Sequence, residues 1–188
     1  MLLREGQGAG FKARTSSPVN ERPHELVRML TQPNMSLRVG QKAPDFDVVS
    51  SAGKSLKLSE FRGKKNVVLY FYPGDFTPVC TKETCGFRDM YAQLESKDTE
   101  VIGVSVDSDE SHKKFAAEYN VPFELVSDKD RALAKAYEAT SLLGKILGKA
   151  GRITYLIDKK GEIAGIFQGE LSASKHVDGV REAMKKLA

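Results

Sequence analysis

An α/β sandwich of three layers, a mixed central sheet flanked by helices, is the fold class this sequence predicts. Three observations carry that expectation. From Leu37 onward, apolar runs alternate with stretches of helical periodicity. Two of those runs, over 67–72 and 101–106, are rich in β-branched and aromatic residues, as strands buried on both faces are. The chain then closes on a hairpin pattern and a final helix, which a parallel sheet with antiparallel company accommodates.

Phe46-Asp47-Val48-Val49 predicts a short strand, ended by Ser50-Ser51-Ala52-Gly53. A second short apolar segment over 56–61 precedes the Arg62-Gly63 turn. The run over 67–72 is a buried strand that Pro73-Gly74 stops. A helix follows over 78–94, with Val79, Phe87, Met90, Tyr91 and Leu94 as expected core contacts. Next come the strand over 101–106 and a helix over 109–119. A strand over 123–126, a helix over 130–137 and a loop through Gly144, Gly148 and Gly151 follow. Strands over 153–157 and 163–167 form a hairpin through Asp158-Lys159-Lys160-Gly161, where Gly161 supplies a left-handed bend. The last helix runs over 174–187. This order of elements is that of a thioredoxin-like fold.

A length of 188 residues predicts one domain with at most an appendage. The appendage is the segment over 1–35, expected to be a disordered or weakly docked extension, with the folded domain over 36–188. Its glycines, serines and prolines carry no sustained period beyond a short helical patch over 24–30. Its acidic residues Glu5, Glu21 and Glu25 suit an organelle transit peptide poorly, although targeting stays open. No apolar run approaches the ~20 residues of a membrane-spanning helix, and the N-terminus lacks the apolar region of a secretory signal. A cytoplasmic protein with no membrane partner is expected. Twenty-nine basic and 25 acidic residues give a net charge of +4, but the signs are interleaved, as in Asp128-Lys129-Asp130-Arg131. That is a solvated mixed surface, and no nucleic-acid partner is expected.

Several patterns look like chemistry and fail on inspection. Gly6-Gln7-Gly8-Ala9-Gly10 follows no strand and lacks a third glycine at nucleotide-loop spacing. Between Gly144 and Gly148 there are three residues rather than four, and Ala150 stands where a magnesium site needs a hydroxyl. Two cysteines and three scattered histidines make a poor zinc site. His24, His112 and His176 lie in separate elements and are expected in surface or capping roles.

The stretch from Pro73 to Cys85 carries the chemical signal. Thr77 is a good N-cap residue, and Pro78 at the first helical position loses no hydrogen bond. Cys80 then falls in the first turn, where orphan N–H groups and the positive end of the helix dipole converge and a thiolate is favoured. The competing role for Cys80 is that of a buried core cysteine. Cys85 is five residues on, so the pair is not a C-x-x-C motif. On an intact helix five residues rise ~7.5 Å with side chains ~140° apart, whereas a disulfide needs Cα atoms within ~6.8 Å. Any bond between the two requires the first turn to unwind. The alternative for Cys85 is a small apolar helix residue.

Pro73-x-x-x-Thr77-x-x-Cys80 resembles the peroxiredoxin active-site motif. Cys80-Thr81-x-Glu83-x-Cys85-x-Phe87-Arg88-Asp89 is similar to the bacterioferritin comigratory protein, or peroxiredoxin Q, branch. The similarity extends through Gly40-x-x-Ala43-Pro44-Asp45-Phe46, Val104-Ser105-x-Asp107, Ser127-Asp128 and Arg152-x-Thr154-Tyr155-Leu156. The resemblance implies a thioredoxin-like fold and thiol-dependent reduction of hydrogen peroxide and alkyl hydroperoxides. It makes Cys80 the peroxidatic cysteine, Cys85 the resolving cysteine and Arg152 the active-site arginine, with Thr77 and Pro73 shaping the pocket. On residue type alone Arg152 is an ordinary surface charge at a strand start. The implied reductant is thioredoxin or a similar dithiol protein, and no metal, haem or flavin is implied. A monomer is expected, with a weak dimer as the alternative. Two other functions fit the residues: a general thiol–disulfide oxidoreductase, and a redox-switched binding or chaperone module.

Overall fold

The computed structural model describes residues 36–139 and 151–187, and its centre is β3 (Asn66–Phe71), buried at all six positions. β3 pairs in parallel with β4 (Thr99–Ser105) and antiparallel with β6 (Ile153–Ile157), which places Leu69 between Ile102 and Tyr155. β5 (Glu124–Ser127) extends the parallel side and β7 (Ile163–Gln168) the antiparallel side, giving the order β5-β4-β3-β6-β7. β1 (Asp47–Val49) and β2 (Ser55–Lys57) form a separate antiparallel pair.

The alternation along β3 explains why the strand is apolar from Val67 onward. Val67, Leu69 and Phe71 enter one core with Phe46, Leu56, Leu133 and Tyr155. Val68, Tyr70 and the following Tyr72 enter the other with Cys80, Phe87, Phe115, Leu125 and Val177. A strand in the middle layer has no solvent face, so both parities are apolar over 67–71, and a polar residue such as Asn66 is buried only with a hydrogen-bond partner. Helices α2 (Pro78–Glu95), α3 (Asp109–Tyr119) and α5 (Ala173–Met184) cover the Cys80 side. The short α1 (Leu58–Phe61) and α4 (Ala132–Ala136) lie on the other side. The architecture is the thioredoxin-like sandwich that the element order predicts.

Where boundaries differ from expectation, polar contacts are the cause. β4 begins at Thr99 because Asn66 Nδ2 donates to Thr99 Oγ1 at 3.2 Å and Lys65 Nζ to Glu100 Oε2 at 2.8 Å, so two polar residues are buried. The helix expected over 130–137 is only Ala132–Ala136. Arg131 takes a left-handed φ of 59°, and the Asp128 carboxylate accepts from Leu133 N–H at 3.0 Å and Ala134 N–H at 2.8 Å. The apolar segment over 56–61 divides into β2 and α1. Helix α3 matches its expected bounds because Ser108 caps it, accepting from Ser111 N–H at 3.2 Å, and Asn120 ends it at a φ of 51°. On α2, Phe87, Met90 and Leu94 are core residues, whereas Val79 and Tyr91 are only half-buried. The segment over 1–35 with its helical patch and His24, and the connector over 140–150 with Gly144 and Gly148, lie outside the described residues. Among the described residues no helix is long and apolar enough to cross a membrane.

Gly103 sits opposite Tyr70 in the β3–β4 register. A Cβ there would lie 2.6 Å from Tyr70 Oη and 2.7 Å from Leu125 Cδ2, closer than packed atoms allow. Gly103→Ala should therefore destabilise the protein by about 1–3 kcal/mol in urea denaturation. An unchanged midpoint would show that the helix-covered face of the sheet has slack here.

Candidate active site

The site begins with the turn from β3 into α2. The chain passes Pro73 and Gly74 and reaches Phe76 at a φ of 59°, a left-handed conformation that a bulky residue adopts only when its surroundings hold it there. The Phe76 ring rests edge-on against Phe115, centroids 5.1 Å apart. Thr77 is the N-cap residue with extended backbone, and Pro78 opens the helix. The hydroxyl differs from expectation: it makes no cap hydrogen bond and instead donates to Gly74 O at 3.2 Å. The first helical bond runs from Thr81 N–H to Thr77 O at 2.9 Å. Val79 and Cys80 thus keep amides with no acceptor inside the helix, at the positive end of its dipole.

Cys80 is fully buried, yet its sulfur does not face hydrocarbon alone. Arg152 Nη2 donates to Sγ at 3.0 Å. Arg152 stands just before β6 and is itself buried, held by Nε donating to Glu170 O at 3.0 Å and by an ion pair between Nη1 and Glu83 Oε2. Glu83 is three residues beyond Cys80 on α2, so one helical turn presents sulfur and carboxylate on the same face. The single guanidinium bridges them. Behind it, Thr154 Oγ1 lies 2.9 Å from His176 Nδ1 and 3.4 Å from Glu83 Oε1, and His176 Nε2 lies 3.0 Å from Gly169 O. These partners assign the tautomer: Nε2–H donates to the carbonyl and Nδ1 accepts from Thr154.

The electrostatics follow from the burial. Desolvation works to lower the Arg152 pKa, but Glu83 and the Cys80 sulfur outweigh it, and Arg152 is raised and stays cationic. Burial pushes Glu83 up to about 7 against the pull of Arg152. Burial also lowers His176, which favours the neutral ring its hydrogen bonds require. A planar, permanently charged donor, fixed by a carboxylate and a carbonyl, presents positive charge to any anion that forms at the sulfur.

The structure brings Cys80 and Arg152 into contact, with Thr77 in the same turn and Pro73 half-buried at its start. Cys85 stays apart. It is half-buried on the same unbroken 18-residue helix, and both cysteines are free thiols. One turn further, Arg88 Nη1 donates to Tyr119 O at 2.8 Å and ties α2 to the end of α3.

Residue type alone misplaced three of these groups. Arg152 is not a surface charge, and His112 and His176 are neither exposed nor capping: all three are buried. His112 pairs with Asp75, its Nδ1 3.0 Å from Oδ2. Each of these polar side chains meets a partner far along the chain, which no local pattern shows. Glu83 was also missed as a functional residue, although its spacing from Cys80 is a signal the sequence contains. Among the described residues no cluster of His, Cys, Asp and Glu could hold a metal ion.

Comparison with known proteins identifies a family. The AhpC/TSA family pattern matches residues 39–166. A putative peroxiredoxin Bcp of Coxiella burnetii is 45% identical over 136 residues, 71% of this chain and 89% of that protein. A chloroplastic peroxiredoxin Q of Populus jackii is 41% identical over 148 residues, 79% of this chain and 68% of that protein. The bacterioferritin comigratory protein of Xanthomonas campestris, solved in connection with its alkyl peroxide reduction activity, superposes with a TM-score of 0.70. It is 28% identical, and the match covers 79% of this chain and 98% of that one.

Glu83 makes a pH prediction whose sign is fixed by its raised pKa. Between its ordinary 4.5 and about 7, the unfolded chain has released the proton that the folded chain retains. Its contribution to stability therefore falls as pH rises through that window, by at most about 1.4 kcal/mol per pH unit. Wild type should lose stability relative to Glu83→Gln across it, read as the difference between urea unfolding free energies. A difference that is flat in pH would show that burial does not control this carboxyl.

Proposed function

The chain belongs to the AhpC/TSA family and is a thiol peroxidase of the peroxiredoxin kind, and on that premise we propose that Cys80 is its peroxidatic and Cys85 its resolving cysteine. The observation that carries the assignment is the Arg152 guanidinium on the Cys80 sulfur. Of the two thiols in the chain, only that of Cys80 combines a helix N-terminus with a buried cation.

The Cys80 thiolate attacks one peroxide oxygen along the O–O axis. The O–O bond breaks, hydroxide or alkoxide leaves and takes up a proton, and the sulfur becomes a sulfenic acid. Thiolate character alone is a small advantage, because nucleophilicity falls as basicity falls. Rate must come from alignment and from stabilising charge that moves onto the leaving oxygen. Arg152, the free Cys80 amide and the Thr77 hydroxyl are the donors within the turn that do this, with Pro73 shielding the sulfur from water. Thr77 would exchange its bond to the Gly74 carbonyl for one to the peroxide.

Unwinding of the first turn of α2 then lets the Cys85 thiol attack the sulfenic acid, expelling water and forming a Cys80–Cys85 disulfide. A dithiol protein, for which thioredoxin is the proposed identity, restores both thiols. The cycle needs one chain only, in keeping with a monomer as the working unit.

Cys80→Ser should abolish peroxide turnover with thioredoxin and its reductase, and substantial residual turnover would refute the assignment. Cys85→Ser should consume about one peroxide per chain and then stall with over-oxidised Cys80. Normal cycling of that variant on a dithiol protein would remove Cys85 from the scheme. Hydrogen exchange of the disulfide form should show amide protection lost over 81–85. Retained protection in a fully disulfide-bonded sample would contradict unwinding.

A further inference from the structure

A second buried polar cluster closes on the same turn from the side opposite Arg152. Asp75 lies two residues before Thr77, and its carboxylate is sealed from water by three side chains. Ser111 Oγ donates to Oδ2 at 2.7 Å, Tyr72 Oη donates to Oδ1 at 2.8 Å, and His112 Nδ1 lies 3.0 Å from Oδ2. Because a carboxylate only accepts, Nδ1 of His112 carries its proton toward Asp75. The His112 side chain is wholly buried in the first turn of α3, and its Nε2 has no hydrogen-bond partner among the described residues. The backbone joins in: Asp75 N–H donates to Asp107 Oδ2 at 2.9 Å, and Ser105 Oγ donates to the same oxygen at 2.7 Å.

Holding α3 on the sheet does not need this cluster, since Phe115 already anchors that helix in the core. A buried carboxylate with an orphaned imidazole nitrogen is a costly way to add adhesion. What the cluster does fix is the backbone at 75–77, where Phe76 is held in its left-handed conformation. Burial alone would raise the Asp75 pKa, but its hydrogen bonds with His112 and Ser111 and the His112 ring overcome that and lower it, so the anion persists.

We propose that Asp75 and His112 are positioning residues for peroxide reduction: their buried pair locks the turn over 73–77 in its strained shape, which aims Thr77 and the Cys80 amide at the peroxide oxygens. Neither residue touches the sulfur. The inference rests on Cys80 being the peroxidatic cysteine.

The test is stopped-flow oxidation of the reduced full-length chain by hydrogen peroxide, set against alkylation of Cys80 by iodoacetamide read by peptide mass. Alkylation needs the thiolate but not the oxygen-binding donors. His112→Leu removes the Nδ1 donor and keeps bulk, whereas His112→Asn keeps a donor near the Nδ1 position. His112→Leu should slow peroxide oxidation by about 10- to 100-fold with alkylation unchanged, and His112→Asn should recover most of the loss. Should His112→Leu fail to fold, Asp75→Asn, which preserves shape and removes the charge, should show the same selective slowing. A wild-type peroxide rate in the folded variant, an equal slowing of both reactions, or no recovery in His112→Asn would overturn the proposal. Peroxide consumption by Cys80→Ser would instead overturn the cysteine assignment on which it stands.

Discussion

The site depends on one guanidinium that cannot be placed without the whole fold. Arg152 meets Cys80 and Glu83 across 72 and 69 residues of chain, and all three are buried. A cation in such a place is stable only if it is paired and its donors are satisfied. Glu83, the Glu170 carbonyl and the sulfur give each of its three nitrogens a partner. The antiparallel pairing of β6 with β3 is what brings residue 152 to the end of the sheet where α2 begins, because Ile153 lies opposite Phe71. Sheet register and the chemistry of the sulfur are therefore one constraint: a slip of β6 by one residue would move Arg152 off the face that α2 covers.

The turn between β3 and α2 is held from two sides by unlike means. From the β6 and α5 side come Arg152, Thr154 and His176, a network built on a permanent positive charge. From the α3 side come Ser111 and His112, closing on the carboxylate of Asp75. Between them lies a stretch containing a proline at each end and a left-handed phenylalanine. Such a stretch has little conformational preference of its own for this shape, so the flanking networks define it.

Much of this was legible in the sequence because apolar pattern reports burial. The runs at 67–72 and 101–106 had to be inner strands, and Thr77-Pro78 had to open a helix with Cys80 in its first turn. Polar residues at buried positions were not legible. Thr99 and Glu100 extend β4 because Asn66 and Lys65 meet them across the sheet. His176 is buried because Gly169 and Thr154 meet it from β7's end and from β6. In each case the partner is distant in sequence, and a polar residue with no visible partner reads as exposed. Arg152 became a site residue only through its resemblance to a family motif, since nothing next to it in the chain marks it as buried. Glu83 is the instructive exception: its i, i+3 relation to Cys80 is local, and its importance could have been argued before any contact was known.

The same i, i+3 relation sets the energetics of the proposed cycle. Arg152 can hold Cys80 and Glu83 together only while the first turn of α2 is helical, because that turn is what stacks the two on one face. Unwinding it to let Cys85 reach the sulfur removes one partner from a buried charge network, a change that typically costs about 3–5 kcal/mol. The disulfide must offset that cost along with the lost helix, and the reductant gains it back when the turn re-forms. The buried pair therefore biases the protein toward its reduced, fully folded state. It also separates the two halves of catalysis in time: the geometry that best aligns peroxide is the one in which Cys85 cannot react. In the proposed cycle, resolution follows oxidation because a sulfenic acid, being neutral, would hold the Arg152 guanidinium more weakly than the attacking thiolate does.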